Sequence, residues 1–273
     1  MEHHIKKILT KFKALGLTPL LGVELEFYII GNVSEELLKT ITLETGLAIE
    51  AERGNGQYEV ASHTFIDPFL LIDFIEKTKI KLLTIAKTYK VKISFDPKPY
   101  KFDHGSGMHI HLSLLDKNNV NIFNLYDTVD SNLAILNSIG GILTLLNQSL
   151  YMIISQEENE FHRLHLSEMS PSTVSWGKNN RTTAVRIPDS HPCNRNRRIE
   201  FRVPSAKSDI ARCILFLLTS VVYGIKGKIQ PGICIYGNAK DSHYNLTSLH
   251  KNANDMKQDF RFWEIFQAIC REP

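Results

Sequence analysis

The stretch Leu21–Ile30, LGVELEFYII, constrains the fold more than any other part of the chain. Val23, Leu25 and Phe27 alternate with Glu24, Glu26 and Tyr28, the two-residue period of a half-buried strand. Side chains two apart in a strand share a face, so Glu24 and Glu26 point the same way. The arrangement recurs downstream. His109, His111 and Ser113 share one face of a strand expected over 107–115, and Arg198, Glu200 and Arg202 share one over 198–203. Glu52 and Glu59 flank the turn Gly54-Asn55-Gly56, so they can approach one another across a hairpin. Taken singly, each stripe reads as a solvated or salt-bridged strand face. Taken together they crowd carboxylates onto one sheet, where they repel unless cations neutralise them. Glutamate-rich ligation with one histidine suits Mg²⁺ or Mn²⁺. The arginines suit phosphate or carboxylate oxygens, which match the guanidinium fork.

The remaining pattern alternates irregularly between strands and long helices. Helical spacing runs over 5–15, 34–45, 68–89, 133–154, 209–225 and 260–271, and strands are expected over 48–53, 57–61, 91–96 and 185–188. A glycine-containing loop over 98–106 and a polar loop with Pro192 and Asn194 join strands. Long helices that do not alternate regularly with strands predict an α+β fold with a mainly antiparallel sheet. A chain of 273 residues with 43% hydrophobic content can bury a substantial core, and no linker or repeat divides it, so one domain over 1–273 is expected.

Composition excludes several classes. The formal charge of +3, from 32 basic and 29 acidic residues, does not suit a general nucleic-acid binder. The four cysteines form no CxxC pair, which argues against a zinc ribbon or a thioredoxin-type site and fits a reduced cytosolic protein. The N-terminal MEHHIKKILTKFKALGL lacks the apolar core of a signal peptide. The apolar run 213–223 is too short to span a bilayer, and 134–155 carries Asn137, Ser138, Asn147 and Gln148, so both read as buried helix. A cytoplasmic location without membrane partner is expected.

The strings GVELEFYI, ERGNGQYEV, FDPKPY, GSGMHIHLSL, SWGKNNRTTAVRIP and RRIEFRVPSA occur in this order. In combination they resemble the catalytic domain of glutamine synthetase and its relatives, the glutamate–amine ligases, over about Gly22 to Pro231. The resemblance implies a concave sheet flanked by helices and an ATP-dependent ligase. In that family the side-chain carboxylate of glutamate is phosphorylated and an amine then displaces the phosphate. It implies two or more Mg²⁺ or Mn²⁺ ions per site: Glu26, Glu52 and Glu59 match the first, and Glu24, His109 and Glu200 match the second, beside the ATP phosphates. Arg181 and Arg186 match catalytic arginines that contact phosphate during transfer. His111, Ser113 and Arg198 match nucleotide contacts. Arg163, Arg202 and Gly105 match contacts to glutamate.

Four departures accompany the match. The family carries a small β-rich domain ahead of the catalytic one, whereas about one helix precedes the Glu24/Glu26 strand here. Met169 stands where a flap glutamate closes the family's ammonium pocket, with Glu168 one position earlier. His104 replaces an asparagine before Gly-Ser-Gly-Met-His, and Ser205 replaces an aspartate after the Arg-x-Pro motif. The phosphate and metal half is intact and the amine half is altered. The expected small molecules are therefore ATP, glutamate or a similar carboxylate, and ammonia or a bulkier amine. A homo-oligomer and a separate chain carrying the β-rich domain are the two assemblies left open, and a non-catalytic ATP- and metal-binding relative is the rival class.

Overall fold

The computed structural model describes residues 1–125, 128–155, 157–190, 196–256 and 261–271. Eight strands form one sheet: β1 (Thr18–Ile30), β2 (Ile49–Ala51), β3 (Gln57–Ala61), β4 (Lys92–Ser94), β5 (Met108–Leu115), β6 (Trp176–Lys178), β7 (Val185–Ile187) and β8 (Ile199–Phe201). Their order is β2-β3-β1-β5-β8-β7-β6, with β4 pairing the far end of β1. Every pairing is antiparallel except β6 with β7. The helices are α1 (Glu2–Ala14), α2 (Glu35–Thr45), α3 (Pro68–Thr88), α4 (Leu133–Leu146), α5 (Leu150–Ile153), α6 (Glu158–Leu166), α7 (Ile210–Gly227) and α8 (Arg261–Arg271).

Local chemistry sets several of these boundaries. Ser34, Asp67, Asn132 and Asp209 each accept a hydrogen bond from the first turn of α2, α3, α4 and α7, satisfying amides that have no intrahelical partner. α2 stops at Gly46, whose φ of 73° belongs to the left-handed region. The apolar side of β1, with Leu21, Val23, Leu25, Phe27 and Ile29, joins the core beneath α1, α3 and α7. Phe201 of β8 packs on Phe216 of α7, their centroids 5.5 Å apart, and Phe216 stacks on Phe262 of α8. α4 and α7 cross at backbone contact, since a Cβ on Gly141 would overlap the Ser220 carbonyl oxygen and one on Gly224 would overlap that of Asn137. The segments Leu133–Ile153 and Ile210–Gly227 are long and apolar enough to span a bilayer, and two thirds (67%) of each window is buried inside the protein, as core helices are. Cys213, Cys234 and Cys270 are unpaired thiols.

Two sequence expectations need correction. β1 is buried along nearly its whole length rather than on one face: Tyr28 is 0% and Glu26 is 9% exposed, because loops fold over the charged face. The helix expected over 133–154 breaks into α4, a 3₁₀ turn at Asn147–Ser149 and α5. At the break, Asn147 uses its amide to bond the Ser248 carbonyl and the His250 N–H, a tertiary contact invisible to periodicity. α6 and β6 carry too few residues to announce themselves by pattern, and neither is anticipated above. The loop containing Pro192 and Asn194, Cys193, and Phe260 at the start of the C-terminal helix lie outside the described residues.

Candidate active site

Strand register brings the charged stripes together. Glu24 lies opposite His109 and Glu26 opposite Glu59, while Gly22, His111, Glu200 and Arg186 form one line across β1, β5, β8 and β7. His109 Nδ1 is 3.5 Å from both Glu24 Oε2 and Glu200 Oε1, and its Nε2 is 3.8 Å from Glu26 Oε1. Glu24, Glu59 and His109 offer ligand atoms that all lie within 4.8 Å of one another. The second Glu26 oxygen is occupied: it accepts from the Gly107 amide at 2.6 Å and from Gln57 Nε2 at 3.2 Å. Gln57 Nε2 also donates to the Gly105 carbonyl, which ties the glycine loop to the carboxylates. Glu52 lines the same cavity, next to the β2–β3 hairpin.

The charges in this cluster are unevenly balanced. Burial pushes the Glu59 carboxyl up to about 9, reinforced by the negative charges of Glu24, Glu26, Glu52 and Glu200. Burial acts the same way on Glu200, but Arg202, His109, His111 and Arg186 outweigh it and hold that group at about 2. For Glu24 burial is again opposed, here by the adjacent His109 and His111 imidazoles, and its carboxyl lies far below the ordinary range. Glu59 thus feels four further carboxylates, of which Glu200 has its own guanidinium partners while Glu24 and Glu26 meet only histidine among the described ion pairs. A hard divalent cation fits this donor set of carboxylate oxygens and one imidazole.

The arginines line the other end. Arg186 donates from Nη1 to Glu200 Oε2 at 2.7 Å and from Nη2 to Asn179 Oδ1 at 2.6 Å. Arg202 donates from Nη1 to Glu200 Oε1 and from Nη2 to the Met169 carbonyl. Arg163, on α6, is buried and donates to the Val203 carbonyl. Its stem passes directly over Gly105, where any Cβ would overlap Arg163 Cγ. Arg181 lines the cavity at its exposed mouth. Arg198 turns inward, its Nε donating to His111 Nδ1 at 2.9 Å. That bond places the His111 proton on Nε2, which faces Glu24 Oε1 at 3.0 Å. Ser113 sits farther along β5, buried, with its hydroxyl on the Arg197 carbonyl.

Some residues at the site were not singled out from sequence. Gln57 lies inside a quoted motif, so the signal was present, but its role as the strut behind Glu26 needed the register. Lys98 is buried and donates to Ser167 Oγ at 2.7 Å and to the Asp103 carbonyl, joining the loop before Gly105 to the loop carrying Met169. His104 lines the cavity, and its carbonyl accepts from Tyr28 Oη at 2.7 Å. Met169 also lines the cavity, whereas Glu168 is exposed and lines a neighbouring cleft with Asn179 and Tyr236. Glu168 therefore does not occupy the place of Met169.

The model of the family described as "Glutamine synthetase, catalytic domain" matches residues 36–261. The chain belongs to that family. It is 26% identical over 275 residues to the glutamine synthetase of Thermotoga maritima, covering 90% of this chain and 61% of that one. Identity to the glutamine synthetase of Escherichia coli K12 is 32% over 232 residues, covering 80% and 48%. With gamma-glutamylputrescine synthetase PuuA of the same organism it is 28% over 190 residues, covering 69% and 39%. The chain thus spans about half the length of the curated relatives it matches. A solved structure titled as a GmaS/ADP complex superposes with a TM-score of 0.81 at 21% identity, covering 98% of this chain and 70% of that one, which establishes the shared α+β fold.

Proposed function

We propose that this chain is a single catalytic domain of a glutamate–amine ligase, activating the side-chain carboxylate of glutamate with ATP and passing it to an amine. The observation that carries this reading is the convergence of carboxylates lacking a cation and of several arginines on one cavity across a single sheet. Glu26, Glu52 and Glu59 would hold one divalent ion, and Glu24, His109 and Glu200 a second. Bound there, Mg²⁺ or Mn²⁺ supplies charge neutralisation for phosphoryl transfer.

The chain's own residues bind and orient. Arg163 and Arg202, with the Gly105 backbone, grip the acceptor. Arg186 and Arg181 receive the transferring phosphoryl group, and His111, Ser113 and Arg198 line the nucleotide side. The γ-phosphoryl bond to ADP breaks as a carboxylate oxygen of glutamate bonds to phosphorus. The amine nitrogen then bonds to the acyl carbon, phosphate departs and the amine releases a proton. Met169 brings no carboxylate to an ammonium ion, and this favours a bulkier, partly apolar amine over ammonia. The name gamma-glutamylputrescine synthetase among the relatives points to an acceptor larger than ammonia within this family.

The test is phosphate release from ATP and Mg²⁺ with glutamate and a panel of amines. Release that requires both glutamate and an amine supports the ligase. Metal-dependent ATP binding with no release under any amine supports the second reading, a non-catalytic nucleotide-binding relative, which the Met169 position favours.

A further inference from the structure

We propose that Glu160 is the positioning residue for Arg163, the buried carboxylate that fixes where this guanidinium meets an acceptor carboxylate; the second half of that statement rests on the cavity being a glutamate site. Glu160 and Arg163 lie three apart on α6 and share one face. They are 0% and 2% exposed. A carboxylate taken wholly out of water is strongly unfavourable unless it is paired and hydrogen-bonded. Glu160 meets that requirement from two directions. Its Oε1 accepts from Ser205 Oγ at 2.5 Å and from the Ser155 amide at 3.3 Å. Its Oε2 faces Arg163 Nε at 3.8 Å, and neither of these two buried atoms has any hydrogen-bond partner.

A separation of 3.8 Å is Coulombic contact rather than a hydrogen bond. The guanidinium is therefore drawn by the charge of Glu160 and not by one directed bond. On the same edge Arg163 Nη2 donates to the Val203 carbonyl, and its stem is confined by Gly105. Nε and Nη2 are thus turned toward the protein, while the residue itself lines the cavity beside Arg202. Ser205 holds the carboxylate, the carboxylate holds Nε, and the remaining guanidinium edge is left for a ligand. This assigns a function to a buried acid that touches neither the metal ligands nor the nucleotide side.

Glu160→Gln keeps the shape and the Ser205 contact and removes the charge. The glutamate KM in the phosphate-release assay should rise about tenfold, with kcat and the ATP KM within about twofold. The double variant Glu160→Ser with Ser205→Asp returns a carboxylate from the opposite end of the same hydrogen bond and should recover most of the loss. A general packing defect would not be rescued in this way. A second readout does not depend on turnover: the Arg163 Nε–H resonance, identified by its disappearance in Arg163→Lys, should shift in Glu160→Gln and exchange faster with solvent. If no glutamate-dependent release is found for the wild type, the functional reading fails and this resonance still decides the pairing. Should Glu160→Gln not fold, Ser205→Ala, which keeps both charges, must move the same resonance. An Arg163 resonance unmoved by either folded variant, or an unchanged glutamate KM in an active Glu160→Gln enzyme, overturns the proposal.

Discussion

At Glu200 a fully buried carboxylate is met by two guanidinium groups; at Glu59, with β1 and β5 between them, a largely buried carboxylate is met by other carboxylates. The two groups sit on one sheet and burial pushes both carboxyls up, yet one is held at about 2 and the other at about 9. The difference lies wholly in the neighbours. The arginine end is electrostatically closed before any ligand arrives, because Arg186 and Arg202 share Glu200 and Arg163 is drawn by Glu160. The carboxylate end is open in the same sense and is balanced only by protonation or by an added cation. Such an asymmetry suits a site that gathers cations at one end and orients anions at the other.

The comparison breaks most visibly at Glu200. Glu200→Ala leaves the buried Arg202 and the part-buried Arg186 without their shared partner, and breaking a buried pair typically costs about 3–5 kcal/mol. Denaturant titration should show that loss in the metal-free protein. Gly105→Ala forces a Cβ into Arg163 Cγ, and overpacking of this kind costs about 1–3 kcal/mol. Its sharper signature is loss of glutamate binding with metal-dependent ATP-analogue binding retained, read by calorimetry. Arg202→Lys keeps a charge and loses the planar fork, so glutamate affinity should fall about tenfold while nucleotide affinity holds. Equal losses for both ligands would place Arg202 in the phosphate cluster instead.

The smallest effect comes from the other end and has the opposite sign. Because the folded Glu59 carboxyl is raised from 4.5 to about 9, the folded state keeps a proton that the unfolded chain releases. Its contribution is fully present below pH 4.5 and is lost as pH rises through about 9. Thermal melts of the metal-free protein should therefore decline across that window. Glu59→Gln should flatten the decline and raise Tm at pH 8.5 by about 2–4 °C, the shift expected per kcal/mol for a chain of this size. Removing a carboxylate thus stabilises one end of the cavity and destabilises the other.

Much of this arrangement was legible in the sequence, and the reasons for success and failure are physical. Two-residue alternation placed Glu24 with Glu26, and His109 with His111, because strand geometry fixes the faces. The turn Gly54-Asn55-Gly56 placed Glu52 near Glu59. Register was not legible. Nothing local says that His111 faces Glu200 across β5 and β8, or that Arg198 turns inward to His111 rather than outward. The half-buried reading of β1 failed because burial of Glu26 and Tyr28 depends on loops held by Lys98 and Gln57 from distant segments. Glu160 was invisible for the same reason: on α6 it reads as a surface helix acid, and only the approach of Ser205 makes it an interior one.

The most direct test is calorimetric titration of the metal-free protein with Mn²⁺ at pH 7.5 in buffers of different ionisation enthalpy. Metal ligands bind in their deprotonated form, so a protonated Glu59 must release its proton when a cation enters. The account predicts saturable binding with about one proton released per protein at this step, and no release from Glu59→Gln. Binding without proton release, or no Mn²⁺ binding at all, would contradict the assignment of the carboxylate end as the cation site.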